Sequence, residues 1–126
     1  MDTIYIAPEY VEYFKDKKGE LHPLCFYLYS DGYIEGKYVN SLDLLEAIGY
    51  VYVWDSWQAI RKAKELELGT IECSLTTKYY DEERDGYYIF DEDFITLDQA
   101  KVVVESTSKI GKGEKQRLLT FIKNSM

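Results

Sequence analysis

The stretch IECSLTTKYYDEERDGYYIFDEDFITLDQ, residues 71–99, decides the fold. Ile71, Cys73 and Leu75 alternate with Glu72, Ser74 and Thr76, the period-2 pattern of a half-exposed antiparallel strand. Next comes DEERDGYYIFDEDF, residues 81–94, which sets seven carboxylates around Tyr87, Tyr88, Ile89 and Phe90. A strand before an acidic, glycine-containing turn and an aromatic segment after it make this a hairpin. Thr96 with Gln99 three residues later is a capping box, so a helix begins at Leu97 and runs towards Glu105, with Val102, Val103 and Val104 as its weak point because β-branched residues fit helices poorly.

The same logic carries upstream. Residues 3–15, with Ile4, Ile6 and Phe14, read as a strand that Pro8 confines to an edge or a bulge. Asp16-Lys17-Lys18-Gly19-Glu20 is a turn, and Leu24 to Tyr29 is an apolar run suited to a strand covered on both faces. Asp31-Gly32 marks a tight hairpin turn, because both central positions of a type I′ turn take positive φ, and residues 33–39 return as a strand. Asn40 or Ser41 caps a helix over 41–48 that Gly49 stops. Tyr50 to Trp54 reads as a short strand or buried link. Asp55 with Gln58 forms a capping box for a helix over 56–68 carrying Trp57, Ile60, Ala63 and Lys64 on one side, ended by Gly69. Lys109 to Gly113 is a linker, and Glu114 to Asn124 is an amphipathic helix with Leu118, Leu119 and Ile122 on one face. The fold class is α+β: an antiparallel sheet of about five strands, a meander plus a hairpin, with helices packed on one face.

At 126 residues the chain fits one domain, residues 1–126, with a basic C-terminal helix at about 113–124. Two cysteines, Cys25 and Cys73, stand far apart in apolar surroundings, the usage of reduced thiols rather than of a disulfide framework. The start of the chain lacks the basic and apolar regions of a signal peptide, and no apolar run is long enough for a membrane helix. A cytoplasmic protein is expected, in host-cell cytoplasm if phage-encoded.

Net charge is −8, unevenly spread: residues 79–105 hold nine acids against two bases, and residues 106–126 one acid against five bases. An acidic body repels phosphates, so direct nucleic-acid binding is not expected, whereas a basic protein surface is a matched partner.

Four constellations bear on chemistry. Asp81, Glu83, Asp85, Gly86 and Glu92 fall at positions 1, 3, 5, 6 and 12 of a twelve-residue loop. These twelve residues resemble the calcium loop of the EF-hand family, and the resemblance implies oxygen ligands from Asp81, Glu83, Asp85 and Glu92. That family needs an entering helix, whereas the segment before Asp81 reads as a strand. Glu35-Gly36-Lys37 on a strand, with Asp31 upstream, has the pattern of a metal-dependent nuclease, because side chains two apart share a face. His22 is the single histidine, so any thiol–imidazole chemistry with Cys25 or Cys73 must pass through it. The glycines of 111–113 are too few for a phosphate loop. No catalytic residue or cofactor is assigned.

The remaining candidate is surface. Thirteen tyrosines is a large number for this length, and many lie among acids. Tyrosine supplies rigid contact area at low entropic cost, and carboxylates around it complement a basic groove. The expected interaction residues are Tyr79, Tyr80, Asp81, Glu82, Glu83, Asp85, Tyr87, Tyr88, Asp91, Glu92 and Asp93. The expected role is a non-enzymatic binding protein: an inhibitor of the phage or mobile-element anti-defence type, or of the immunity or antitoxin type, that mimics phosphate and blocks a basic, nucleic-acid-handling partner such as an enzyme or toxin. The alternative is a protein that sequesters an anionic small molecule with Trp54, Trp57, Arg61, Lys62 and Arg117. Homo-oligomers are compatible with either.

Overall fold

A computed structural model describes residues 10–30, Tyr33 and residues 35–126. The elements run β1 (Tyr10–Lys15), β2 (Leu21–Ser30), β3 (Glu35–Asn40), α1 (Ser41–Ile48), α2 (Val53–Ala63), α3 (Glu65–Leu68), β4 (Cys73–Asp81), β5 (Gly86–Ile95), α4 (Leu97–Ser106) and α5 (Lys112–Ser125). The five strands form one antiparallel sheet in the order β1-β2-β3-β5-β4, so the expected α+β class holds. Of the strand expected over 3–15, residues 10–15 form β1, while residues 3–9, with Ile4, Ile6 and Pro8, and the turn at Asp31-Gly32 lie outside the described residues.

Alternation along each strand divides the buried side chains between two faces. Phe14, Leu24, Phe26, Val39 and Ile95 face the helices and join Leu44, Leu45, Ile48, Trp57, Val103, Val104, Leu118 and Ile122 in the main core. Cys73, Leu75 and Phe94 point the other way and pack with Cys25, Tyr27 and Tyr38 in a smaller cluster. The edge-on packing of Tyr27 against Phe94, with centroids 6.3 Å apart, holds this second cluster together across the sheet. The apolar run of β2 is covered only in part: Leu24 and Phe26 are buried, while Leu28 and Tyr29 at its far end are exposed.

Helix α1 follows the sequence closely. The Asn40 side chain accepts from the amides of Leu42 and Asp43, and Gly49 takes φ 118° so that its amide closes on Leu45 and Glu46. Helix α4 begins on the capping box of Thr96 and Gln99, and burial of Val103 and Val104 outweighs the poor helix propensity of the valines. Leu118 and Ile122 seat α5 in the same core, and Lys17, in the β1–β2 turn, donates its amide to Glu114 at 3.0 Å.

Two sequence expectations are corrected between Tyr50 and Leu68. No strand forms at Tyr50–Trp54; α2 starts at Val53, with Val51 and Tyr52 exposed. Val53, Trp57 and Ile60 recur at helical spacing and pack on the core, which draws the helix start ahead of Asp55, and no side chain caps it. The helix is also not continuous to Leu68: α2 ends at Ala63, Lys64 departs to φ −114°, and the short α3 returns Leu68 to the core before Gly69 at φ 68°. Among the described residues, no helix is long and apolar enough to cross a membrane.

Candidate functional site

The sheet is a three-stranded meander, β1-β2-β3, and a β4–β5 hairpin joined at a narrow seam. Among the described residues, β3 meets β5 only through Val39 with Ile95 and Asn40 with Phe94. From Asp93 to Gly86, β5 pairs with β4 alone, in register from Ser74↔Asp93 to Asp81↔Gly86. At the rise of an antiparallel strand this is an arm of about 25 Å. Its tip is a turn over residues 82–85, where Asp85 takes the left-handed φ of 46° that aspartate tolerates better than most residues. Asp81 Oδ1 accepts the amide of Glu83 at 2.9 Å, and the Tyr80 hydroxyl donates to Asp85. Tyr80 packs on Tyr87 across the strands with centroids 5.2 Å apart, and the Arg84 guanidinium sits 5.5 Å from the centre of the Tyr88 ring.

Little of this arm is covered. Tyr80 is 51% exposed, Tyr87 63% and Ile89 57%, and Glu82, Glu83, Asp85 and Asp91 are also exposed. The register sets Tyr79 opposite Tyr88. The tip and shaft therefore present carboxylates beside aromatic and aliphatic surface.

Asp93 does not belong to that surface. It is 8% exposed, and its Oδ2 accepts from Trp57 Nε1 at 2.8 Å and from Arg61 Nη1 at 3.0 Å while Oδ1 accepts from the Ser74 hydroxyl at 3.0 Å. Odd-numbered spacing along β5 separates it from Phe94 and Glu92 and turns it towards α2, where it ties the base of the arm to the helix layer. Glu92, opposite Leu75, also sits at the base rather than the tip.

The calcium arrangement is not formed. Gly86 to Glu92 is extended strand, which carries Glu92 about 20 Å from Gly86, while Asp81 pairs with Gly86 at the turn. The twelve residues are a hairpin, and a loop that wraps one ion needs its last ligand beside its first.

The anionic-ligand constellation is likewise split. Trp57 is buried and Arg61 is committed to Asp93, whereas Trp54 and Lys62 are exposed on α2. Arg117 lies on another side of the core: it donates to the Lys15 carbonyl at 2.6 Å, pairs with Glu114 and stacks 5.2 Å over Phe14. Glu35 and Lys37 are exposed on β3, and the Asp31 of that pattern lies outside the described residues.

His22 and Cys25 are an odd number of residues apart on β2 and face opposite sides of the sheet. Burial pushes the Cys25 thiol up to about 12, with further help from the Asp43 carboxylate, and pushes Cys73 up to about 11. Both thiols are held in the unreactive protonated form. His22 instead bridges two carboxylates that sequence spacing did not single out. Its Nε2 is 2.8 Å from Asp16 Oδ2, and its Nδ1 is 3.0 Å from each oxygen of Glu46. Burial lowers its pKa, the hydrogen bonds and charges of Asp16 and Glu46 together raise it by more, and the net shift is upward. Asp16, six residues before His22 across the turn, is a signal the sequence does carry; Glu46 on α1 is not.

At the end of β3, helix α1 packs against both β2 and β5. Asp43 Oδ2 there accepts the amide of Cys25 at 2.9 Å. Burial raises the Asp43 carboxyl, the bonds from Cys25 lower it, and the charges of Glu92 and Glu46 raise it again, for a net rise.

Comparison with protein-family models, curated proteins and solved structures finds no match to this chain.

Proposed function

We propose that this protein is a binding protein that docks its β4–β5 arm onto a basic protein surface. The observation that carries the reading is the exposure of Tyr80, Tyr87, Tyr88 and Ile89 beside Glu82, Glu83 and Asp85 on a ribbon held to the sheet by a narrow seam. A two-stranded ribbon gains little stability from itself, and the exposed surfaces of Tyr80, Tyr87 and Ile89 on one face of it and of Tyr88 on the other are contact area for a second protein. The carboxylates speed encounter with a cationic surface, and the rings then provide short-range affinity. A nucleic-acid-handling protein is the natural partner class, because its phosphate-binding groove is a row of cations that the tip carboxylates would occupy.

Affinity capture from cell extract with wild type, with E82K/E83K/D85K and with Y87A tests this. A partner retained by wild type, lost by both variants and protected-footprinted on residues 80–91 supports docking through the arm. Capture that both variants retain sinks it.

A further inference from the structure

We propose that Asp16, Glu20 and His22 form a binding site for a first-row divalent transition metal ion, zinc being the type case. One ligand atom from each of these three side chains lies within 4.8 Å of the others. The site differs from an ordinary acidic patch in having a nitrogen donor, the chain's single histidine, buried on a strand and held by Glu46 through the opposite ring nitrogen.

That opposite contact selects the ligand atom. A carboxylate that accepts from Nδ1–H fixes the ring and leaves Nε2 to bind, the usual arrangement behind a metal-bound histidine. Nε2 points at Asp16 Oδ2 across a 2.8 Å hydrogen bond, and these two atoms need to part by only about 0.6 Å to reach the roughly 3.4 Å edge of a tetrahedral site with ligands about 2.0–2.2 Å from a shared ion. Asp16 offers Oδ2 because Oδ1 is taken by the amides of Lys18 at 2.8 Å and Glu20 at 3.0 Å. The ion takes the place of the proton between Nε2 and Oδ2, which leaves to solvent, and Glu20 closes on it from the end of the turn. The mixed nitrogen and oxygen set favours zinc, cobalt or nickel over magnesium and calcium, which prefer oxygen alone.

Three protein ligands leave a coordination position open. Asp16, Glu20 and His22 line one wall of a cavity of about 420 Å³ whose other walls include Lys17, Lys18, Ile48, Lys109 and Glu114. The ion's free position faces that space, so water or a small anion held by the lysines completes the shell. This site lies on the β1–β2 turn and α1, separate from the arm, and does not depend on the docking reading.

The test is calorimetric titration of the metal-free full chain with zinc chloride, with cobalt absorption to report the ligands. One equivalent bound, weakened at least tenfold by E20Q and by D16N and several-fold by E46Q, with a cobalt spectrum free of thiolate charge transfer, is the expected result. E20Q is the decisive variant, because Glu20 is exposed and its side chain can be neutralised without touching the core. Zinc uptake unchanged by E20Q and D16N, a thiolate band from Cys25 or Cys73, or no uptake by wild type each overturns the proposal.

Discussion

Trp57 donates its indole N–H to Asp93 at 2.8 Å, and the same carboxylate oxygen receives Arg61 at 3.0 Å. This contact fixes the base of the arm to α2, and it explains why one acid of the run Asp91-Glu92-Asp93 is structural. Truncation by D93A strands a buried indole donor and the Ser74 hydroxyl and removes the partner of Arg61. A loss of about 3 kcal/mol is expected, read as a fall in the urea midpoint with little change in slope. A shift below about 0.5 kcal/mol contradicts the assignment.

Asp43 gives the stability a defined pH response. Its carboxyl titrates at a higher pH in the folded chain than in the unfolded one, mainly through burial, among Cys25, Glu46 and Glu92. Between the two values the folded state holds the extra proton. Its contribution is therefore complete below the ordinary carboxylate value and is lost as pH rises through the raised one. D43N abolishes that slope, so as pH rises above the ordinary carboxylate range the variant gains on wild type in urea unfolding. A wild-type-to-variant difference that stays flat over this rise contradicts the direction.

The arm is expected to open independently of the core. Phe94 and Ile95 are bonded into the seam with β3 and pack on buried side chains, whereas Tyr87, Tyr88 and Ile89 pair with β4 alone. In native-state hydrogen exchange the amides of Phe94 and Ile95 exchange through global unfolding. Those of Tyr87 to Ile89 exchange through a local opening several kcal/mol easier and nearly independent of denaturant. One shared opening free energy across residues 86–95 contradicts an independent arm.

Local chemistry was legible in the sequence where a residue acts on its own neighbours. Asn40, Gly49, the Thr96–Gln99 box and the alternation of Cys73 and Leu75 all mark structure within a few residues of themselves. Burial is not legible in the same way. Asp93 looked like its neighbours because composition is blind to which face of β5 meets α2, although period-2 spacing already sets it apart from Glu92 and Phe94. The start of α2 is hidden in the sequence because Tyr50 to Trp54 is an apolar run whose helical phase shows only once Trp57 and Ile60 are placed on the core. Glu46 reaches His22 across 24 residues of chain, a pairing that only the tertiary fold creates.

Association kinetics of the captured partner with wild type and with E82K/E83K/D85K, over a series of salt concentrations, test the docking role most directly. Wild-type association should slow steeply as salt rises. The variant should associate at least tenfold more slowly at low salt, with a much flatter salt dependence and a comparable dissociation rate. Identical association rates and salt slopes for the two proteins would contradict docking through the acidic tip of the arm.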